Sequence, residues 1–199
     1  MSFYLERTVR EHRPSDKEGN WSAPTPLHTH ASTHAWVLIA DPGAGKTEAF
    51  KALAQAEGST FIPARDFIEL APPPHGYPCP LFIDGLDEYT ATHGNTGHTA
   101  IGLIRSRLQQ LGTPPFRIAC READWRGSTD SEALQRLVTH SQVTSTTFSE
   151  LHLEPLTESQ TLEFIRHQKQ WNDAQARSFI HSAQEHDLEG LLDNPQTLH

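Results

Sequence analysis

Ala40-Asp41-Pro42-Gly43-Ala44-Gly45-Lys46-Thr47 brings two glycines, a lysine and a hydroxyl together in one short stretch. Those residue types suit the binding of a polyphosphate. Glycines at 43 and 45 allow the backbone angles with which successive N–H groups wrap an anion. A helix opening at Lys46 would put its positive end against the same anion. Lys46 then places a charge on the β- and γ-phosphates, and the Thr47 hydroxyl coordinates Mg²⁺. The loop residues Asp41, Pro42, Gly43, Ala44 and Gly45, with Lys46, Thr47 and Glu48, are the expected nucleotide contacts.

A second constellation lies at Leu81-Phe82-Ile83-Asp84-Gly85-Leu86-Asp87-Glu88. An apolar strand delivers Asp84 at its C-terminal end, where open α/β sheets bind ligands. Asp84 and Thr47 are the expected metal ligands, Asp84 acting directly or through a water. Asp87 and Glu88 follow closely enough to orient or deprotonate an attacking water. Glu88 is favoured for its longer arm.

These groups need a scaffold, and the chain carries its signals. Ala35-Trp36-Val37-Leu38-Ile39-Ala40 is continuously apolar, as a parallel strand buried on both faces should be. Phe50, Leu53 and Ala54 form one stripe of a following helix closed by Gly58. Further strands are predicted at Thr60-Phe61-Ile62, at 80–84 on a strand neighbouring the first, at 116–120, and at 148–153. Helical spacing joins Ile101, Ile104, Leu108 and Leu111. Thr129 with Glu132 has capping-box spacing before Leu134, Leu137 and Val138. Alternating strands and helices imply an α/β three-layer α/β/α sandwich with a mostly parallel five-stranded sheet. Residues 1–34, polar and proline-bearing, read as an irregular arm able to pack through Phe3, Tyr4, Leu5 or Trp21. The core spans 35–154. From 155 the strands stop; Thr157 with Gln160 opens one helix, and Ala176, Phe179, Ile180 and Ala183 share a face of another. Residues 155–199 are therefore the start of a small helical subdomain.

Composition removes other classes. With 16 Lys+Arg against 25 Asp+Glu the net charge is −9, so no direct nucleic-acid binding is expected. No apolar run spans a bilayer and no signal peptide opens the chain, which predicts a cytoplasmic protein without membrane contact. Cys79 and Cys120, placed on neighbouring strands, are expected to be thiols. The clusters His28/His30/His34 and His93/His98 lack the partners of a metal site.

The two constellations together resemble the Walker A and Walker B segments of the NACHT-like branch of the STAND P-loop NTPases, a branch of the AAA-type ATPase superfamily. Ala40 departs from the first glycine of Walker A, where a small side chain obstructs little. Gly85, the tiny residue after the metal aspartate, is the feature similar to that branch rather than to ordinary AAA+ motors. Arg117-Ile118-Ala119-Cys120-Arg121 resembles the family's sensor 1 strand, which makes Arg121 the γ-phosphate sensor. Leu153-Glu154-Pro155-Leu156-Thr157 resembles the junction to the helical subdomain. Asn194-Pro195-Gln196-Thr197-Leu198 resembles the Asn-Pro-x-x-Leu element, which places Pro195 on the adenine.

The resemblance implies an ATP (or ADP) and Mg²⁺ site and a hydrolase that turns over slowly to gate a conformational change in signalling or defence. It also implies a protein partner or self-association within a longer parent, because family members continue into a winged-helix domain and a repeat sensor. On that comparison the chain, ending at His199, is expected to be truncated. Two other readings stay open: a conventional ATPase or small-molecule kinase, and a hydrolysis-dead nucleotide-binding interaction module.

Overall fold

The computed structural model describes residues 4–13, 20–93, 97–139 and 147–198. In chain order these form β1 (Thr8–Arg13), β2 (Asn20–Trp21), β3 (Thr25–Pro26), β4 (Ala35–Ile39), α1 (Lys46–Glu57), β5 (Thr60–Pro63), α2 (Ala64–Glu69), β6 (Leu81–Asp84), α3 (Leu86–His93), α4 (Gly97–Gln110), β7 (Phe116–Cys120), α5 (Ser128–Thr139), β8 (Phe148–Leu153), α6 (Glu158–Lys169) and α7 (Asp173–Glu185), with short 3₁₀ turns between them. Among the described residues no helix is long and apolar enough to cross a membrane.

Five strands run parallel in the order β8-β4-β7-β6-β5. Side chains alternate across the sheet, as a period of two requires. Ala35, Val37 and Ile39 of β4, with Ile83 and Ile118, face a core closed by α2, α3, α4 and α5. Trp36, Leu38, Phe82 and Ala119 face the other core, closed by Ala49, Phe50, Leu53 and Ala54 of α1. The molecule is thus an α/β three-layer sandwich, and all five parallel strands overlap the stretches predicted as strands.

The arm is a correction. Residues 1–34 are not irregular throughout: β1 pairs antiparallel with β8, Val9 opposite Leu153, and β2 and β3 flank β1. Of the alternating positions only Val9 is apolar and buried; the strand is held instead by polar cross-strand pairs such as Arg10 with Glu154 at 3.1 Å and Ser149 Oγ donating to Glu11 at 2.6 Å. Polar pairing leaves no hydrophobic period to read.

Three other expectations change. Thr129 lies inside α5 rather than at its cap, and the buried Asp130 carboxylate accepts the Arg126 N–H at 2.9 Å instead. Phe179 is exposed and meets Trp171 edge to face, while Ala176 and Ile180 face the third core with Leu156, Ile165, Leu192 and Leu198. Cys120 ends β7 in the core, whereas Cys79 is an exposed thiol in the loop before β6. Thr157 and Gln160 do form a reciprocal capping box, and Asn172 with Gln175 forms a second.

Arg117, in the middle of β7, is 1% exposed. Its guanidinium donates to the carbonyls of Ala31 (2.8 Å), His34 (2.9 Å) and Phe116 (3.0 Å) and lies over the Trp36 ring. Burial lowers its pKa to about 10, with Glu57 acting in the opposite direction; it is still charged at neutral pH. Arg117→Ala is expected to cost about 3 kcal/mol, from stranded carbonyls and a new cavity. Urea denaturation checks this: the midpoint should fall with an unchanged slope.

Candidate functional site

β4 ends at Ile39, and residues 40–45 carry the chain from the sheet into α1. Gly43 and Gly45 have φ of +77° and +91°, angles that strain any residue with a Cβ. A Cβ on Gly43 would also lie 2.1 Å from Gln196 Oε1. No side chain caps α1, whose N-cap is Gly45. Its first-turn N–H groups and the positive end of its dipole are therefore presented at the loop.

Lys46 reaches back along the loop, its Nζ donating to Ala40 O at 2.7 Å and Asp41 O at 3.0 Å. Burial lowers its pKa; Asp87 and Asp84 raise it, and Arg121 lowers it. Asp84 ends β6, Arg121 follows β7 and pairs with Asp87, and Lys46 follows the loop after β4, so all four lie at the C-terminal edge of parallel strands.

Asp84 is the buried tip of β6. Its strand is not the immediate neighbour of the loop strand, however, because β7 lies between β6 and β4. Strand adjacency is invisible in sequence order, since a crossover can skip a position. One consequence is that Arg121, one residue past β7, sits between the two constellations. It makes an ion pair with Asp87. Gly85 has φ +76°, and Glu88 Oε2 lies 3.5 Å from where its Cβ would be; Glu88 is exposed on the first turn of α3.

Beyond the loop lies a cavity of about 610 Å³. Gly43, Gly45, Glu48 and Ala49 form its loop side, Leu5 and Arg7 of the arm a second, Phe164 of α6 a third, and Pro195 with Gln196 a fourth. The expected adenine contact Pro195 is thus beside the phosphate loop, its Cγ 3.6 Å from the Cβ position of Gly45. Asn194 Nδ2 donates to Pro42 O at 3.0 Å and ties the same turn to the loop. Thr47, Asp41 and Pro42 are exposed and do not line the cavity, and Glu48 pairs with Lys51 at 2.9 Å.

Leu5, Arg7 and Phe164 are the site residues that motif reasoning does not reach, whereas Asn194 and Gln196 lie within the element that contains Pro195. The first three come from the arm and α6 and carry no local spacing. Of the histidines, the side chains of His93 and His98 lie outside the described residues, and among the described residues no group of three or more His, Cys, Asp or Glu could hold a metal.

No family model matches the chain, and no curated protein does. A solved structure concerned with the structural basis of katanin self-assembly matches with a TM-score of 0.37 and 20% identity, over 69% of this chain and 46% of that one. The chain therefore spans less than half of that structure's length. So distant a likeness leaves function to be argued from the site.

Proposed function

We propose that the chain binds ATP with Mg²⁺ and hydrolyses it slowly, as the ATP-gated element of a STAND-type signalling or defence switch. One observation carries this reading: Asp84 and the Arg121–Asp87 ion pair lie at the strand ends from which the loop of Lys46 departs, and the uncapped helix N-terminus beside them opens on a cavity lined in part by Leu5, Phe164 and Pro195. A cavity of about 610 Å³ falls within the ~300–1,000 Å³ usual for small-molecule sites. The loop contributes Gly43 and Gly45, Leu5, Phe164 and Pro195 offer apolar surface for a base, and Arg7, His167 and Gln168 add polar groups to the lining.

The residues take distinct parts. The loop N–H groups and Lys46 bind the phosphates, Leu5, Phe164 and Pro195 enclose the base, and Glu88 holds the proton of an attacking water. Asp84 and Thr47 would supply hard oxygen ligands, a sparse set that would suit Mg²⁺, an ion that usually keeps several waters and leans on phosphate oxygens. When bound, Mg²⁺ supplies charge neutralisation to the terminal phosphates.

The gating part of the proposal rests on where the cavity walls come from. The loop belongs to the sheet, whereas Phe164, Pro195 and Gln196 belong to the helical segment with its own small core. Filling the cavity favours one placement of that segment by the differential contacts it gains there. Steady-state phosphate release with Mg²⁺ tests the switch reading against a conventional ATPase. Turnover of roughly 10⁻² s⁻¹ or slower is expected, as in intrinsic switch NTPases; turnover above about 1 s⁻¹ would assign the chain to ordinary catalysis.

A further inference from the structure

We infer that Arg7 is a positioning residue for the phosphate loop, holding the Ala44 carbonyl outward so that the Gly45 N–H is aimed at the phosphate. The inference rests on the nucleotide-site reading above. Arg7 lies in the arm just before β1 and is 4% exposed, far from the usual state of an arginine. Its Nη1 donates to Ala44 O in the loop and its Nη2 to Glu154 O, 2.7 Å away, at the start of the helical segment. Nη1 also lies 3.1 Å from the Cβ position of Gly45. The guanidinium therefore touches the loop at the peptide between Ala44 and Gly45.

A trans peptide is planar, with its C=O and N–H on opposite sides. Among the described residues the cis bond recorded is Cys79–Pro80, so the 44–45 peptide is trans. Fixing the Ala44 oxygen on Arg7 then fixes the direction of the Gly45 hydrogen. Glycine on both sides of Ala44 gives this peptide unusual freedom to flip, which is the freedom an external anchor must remove.

The anchor is itself held from several directions. The Arg7 carbonyl accepts Leu27 N–H at 2.8 Å, Gln160 Nε2 of α6 donates to Glu6 O at 2.7 Å, and Leu5 packs on the third core. A fork is needed because one side chain must reach two carbonyls; lysine, a single point donor, would reach one well. Burial lowers the Arg7 pKa to about 10, with Tyr4 opposing, so the guanidinium remains charged at neutral pH.

Arg7→Met and Arg7→Lys, compared with wild type, test this by titration with ADP and with inorganic pyrophosphate, alongside the Gly45 amide signal in the nucleotide-free ¹H–¹⁵N spectrum. Arg7→Met is expected to weaken ADP and pyrophosphate alike by roughly tenfold, the worth of one hydrogen bond to a charged group, and to shift the Gly45 signal. Arg7→Lys should lose about threefold for both, as one donor survives. Undiminished pyrophosphate affinity in Arg7→Met overturns the inference, and so does a loss confined to ADP, which would put Arg7 on the nucleoside. If Arg7→Met does not fold, an unchanged Arg7→Lys overturns it equally. Wild type binding neither probe removes the nucleotide reading itself, a result separable from all of these.

Discussion

Replacing Glu88 with Gln is expected to lower ATP turnover by roughly 10²- to 10⁴-fold, the usual contribution of a positioned general base. ATP affinity should stay within about threefold, because the amide keeps the size and hydrogen-bonding reach of the carboxylate. The assignment follows from how the acidic strand end is built. Asp84 is buried at the tip of β6 and is the metal carboxylate of the proposal. Asp87 is engaged with Arg121. Glu88 is exposed on the first turn of α3, its carboxylate 3.5 Å from where a Cβ of Gly85 would be. Phosphate release at saturating ATP and Mg²⁺ reads the effect. Loss of turnover in Asp87→Asn with full activity in Glu88→Gln would transfer the role to Asp87.

Lys46→Ala is expected to weaken ATP and ADP by roughly 100-fold, as a charge-assisted contact to phosphate in a partly desolvated loop is lost. The Lys46 ammonium donates to two carbonyls of its own loop, Ala40 and Asp41. Burial already disfavours its charge, and Asp87 and Asp84 restore part of it. A phosphate brought to that position offers a far better partner than either carbonyl. The fold should notice little, since loop carbonyls released by the mutation can turn to water. Calorimetric titration beside thermal unfolding separates the two effects; a large affinity loss at a nearly unchanged melting temperature is the expected pattern.

The scaffold was legible where burial is continuous. β4, β6 and β7 are buried at every position, and such strands read as apolar runs whatever their order in the sheet, broken only by Asp84 at the tip of β6 and Arg117 in β7. The phosphate loop was legible because its chemistry is local, confined to consecutive residues. What escaped is held by relations between distant segments. β1 sits on β8 through charged and hydroxyl pairs, so its sequence Thr8–Arg13 shows no apolar period. Arg117 looks like a surface residue in a strand, yet carbonyls from residues 31 and 34 and the Trp36 face make it a core residue. The short helices α2 and α3 offer too few turns for a periodic signal. The cavity wall was only partly foreseen. Pro195 belonged to a recognisable element, whereas Leu5, Arg7 and Phe164 become neighbours of Gly45 only once the arm and the helical segment have folded onto the loop.

Titrating ATP into the wild-type chain by calorimetry, with Mg²⁺ and then with the metal chelated, bears most directly on the central claim that loop and Asp84 serve one nucleotide. Saturable 1:1 binding with a Kd of roughly 1–100 µM is expected, weakening about tenfold when Mg²⁺ is removed. No saturable heat at millimolar ATP, with the chain demonstrably folded, would contradict it.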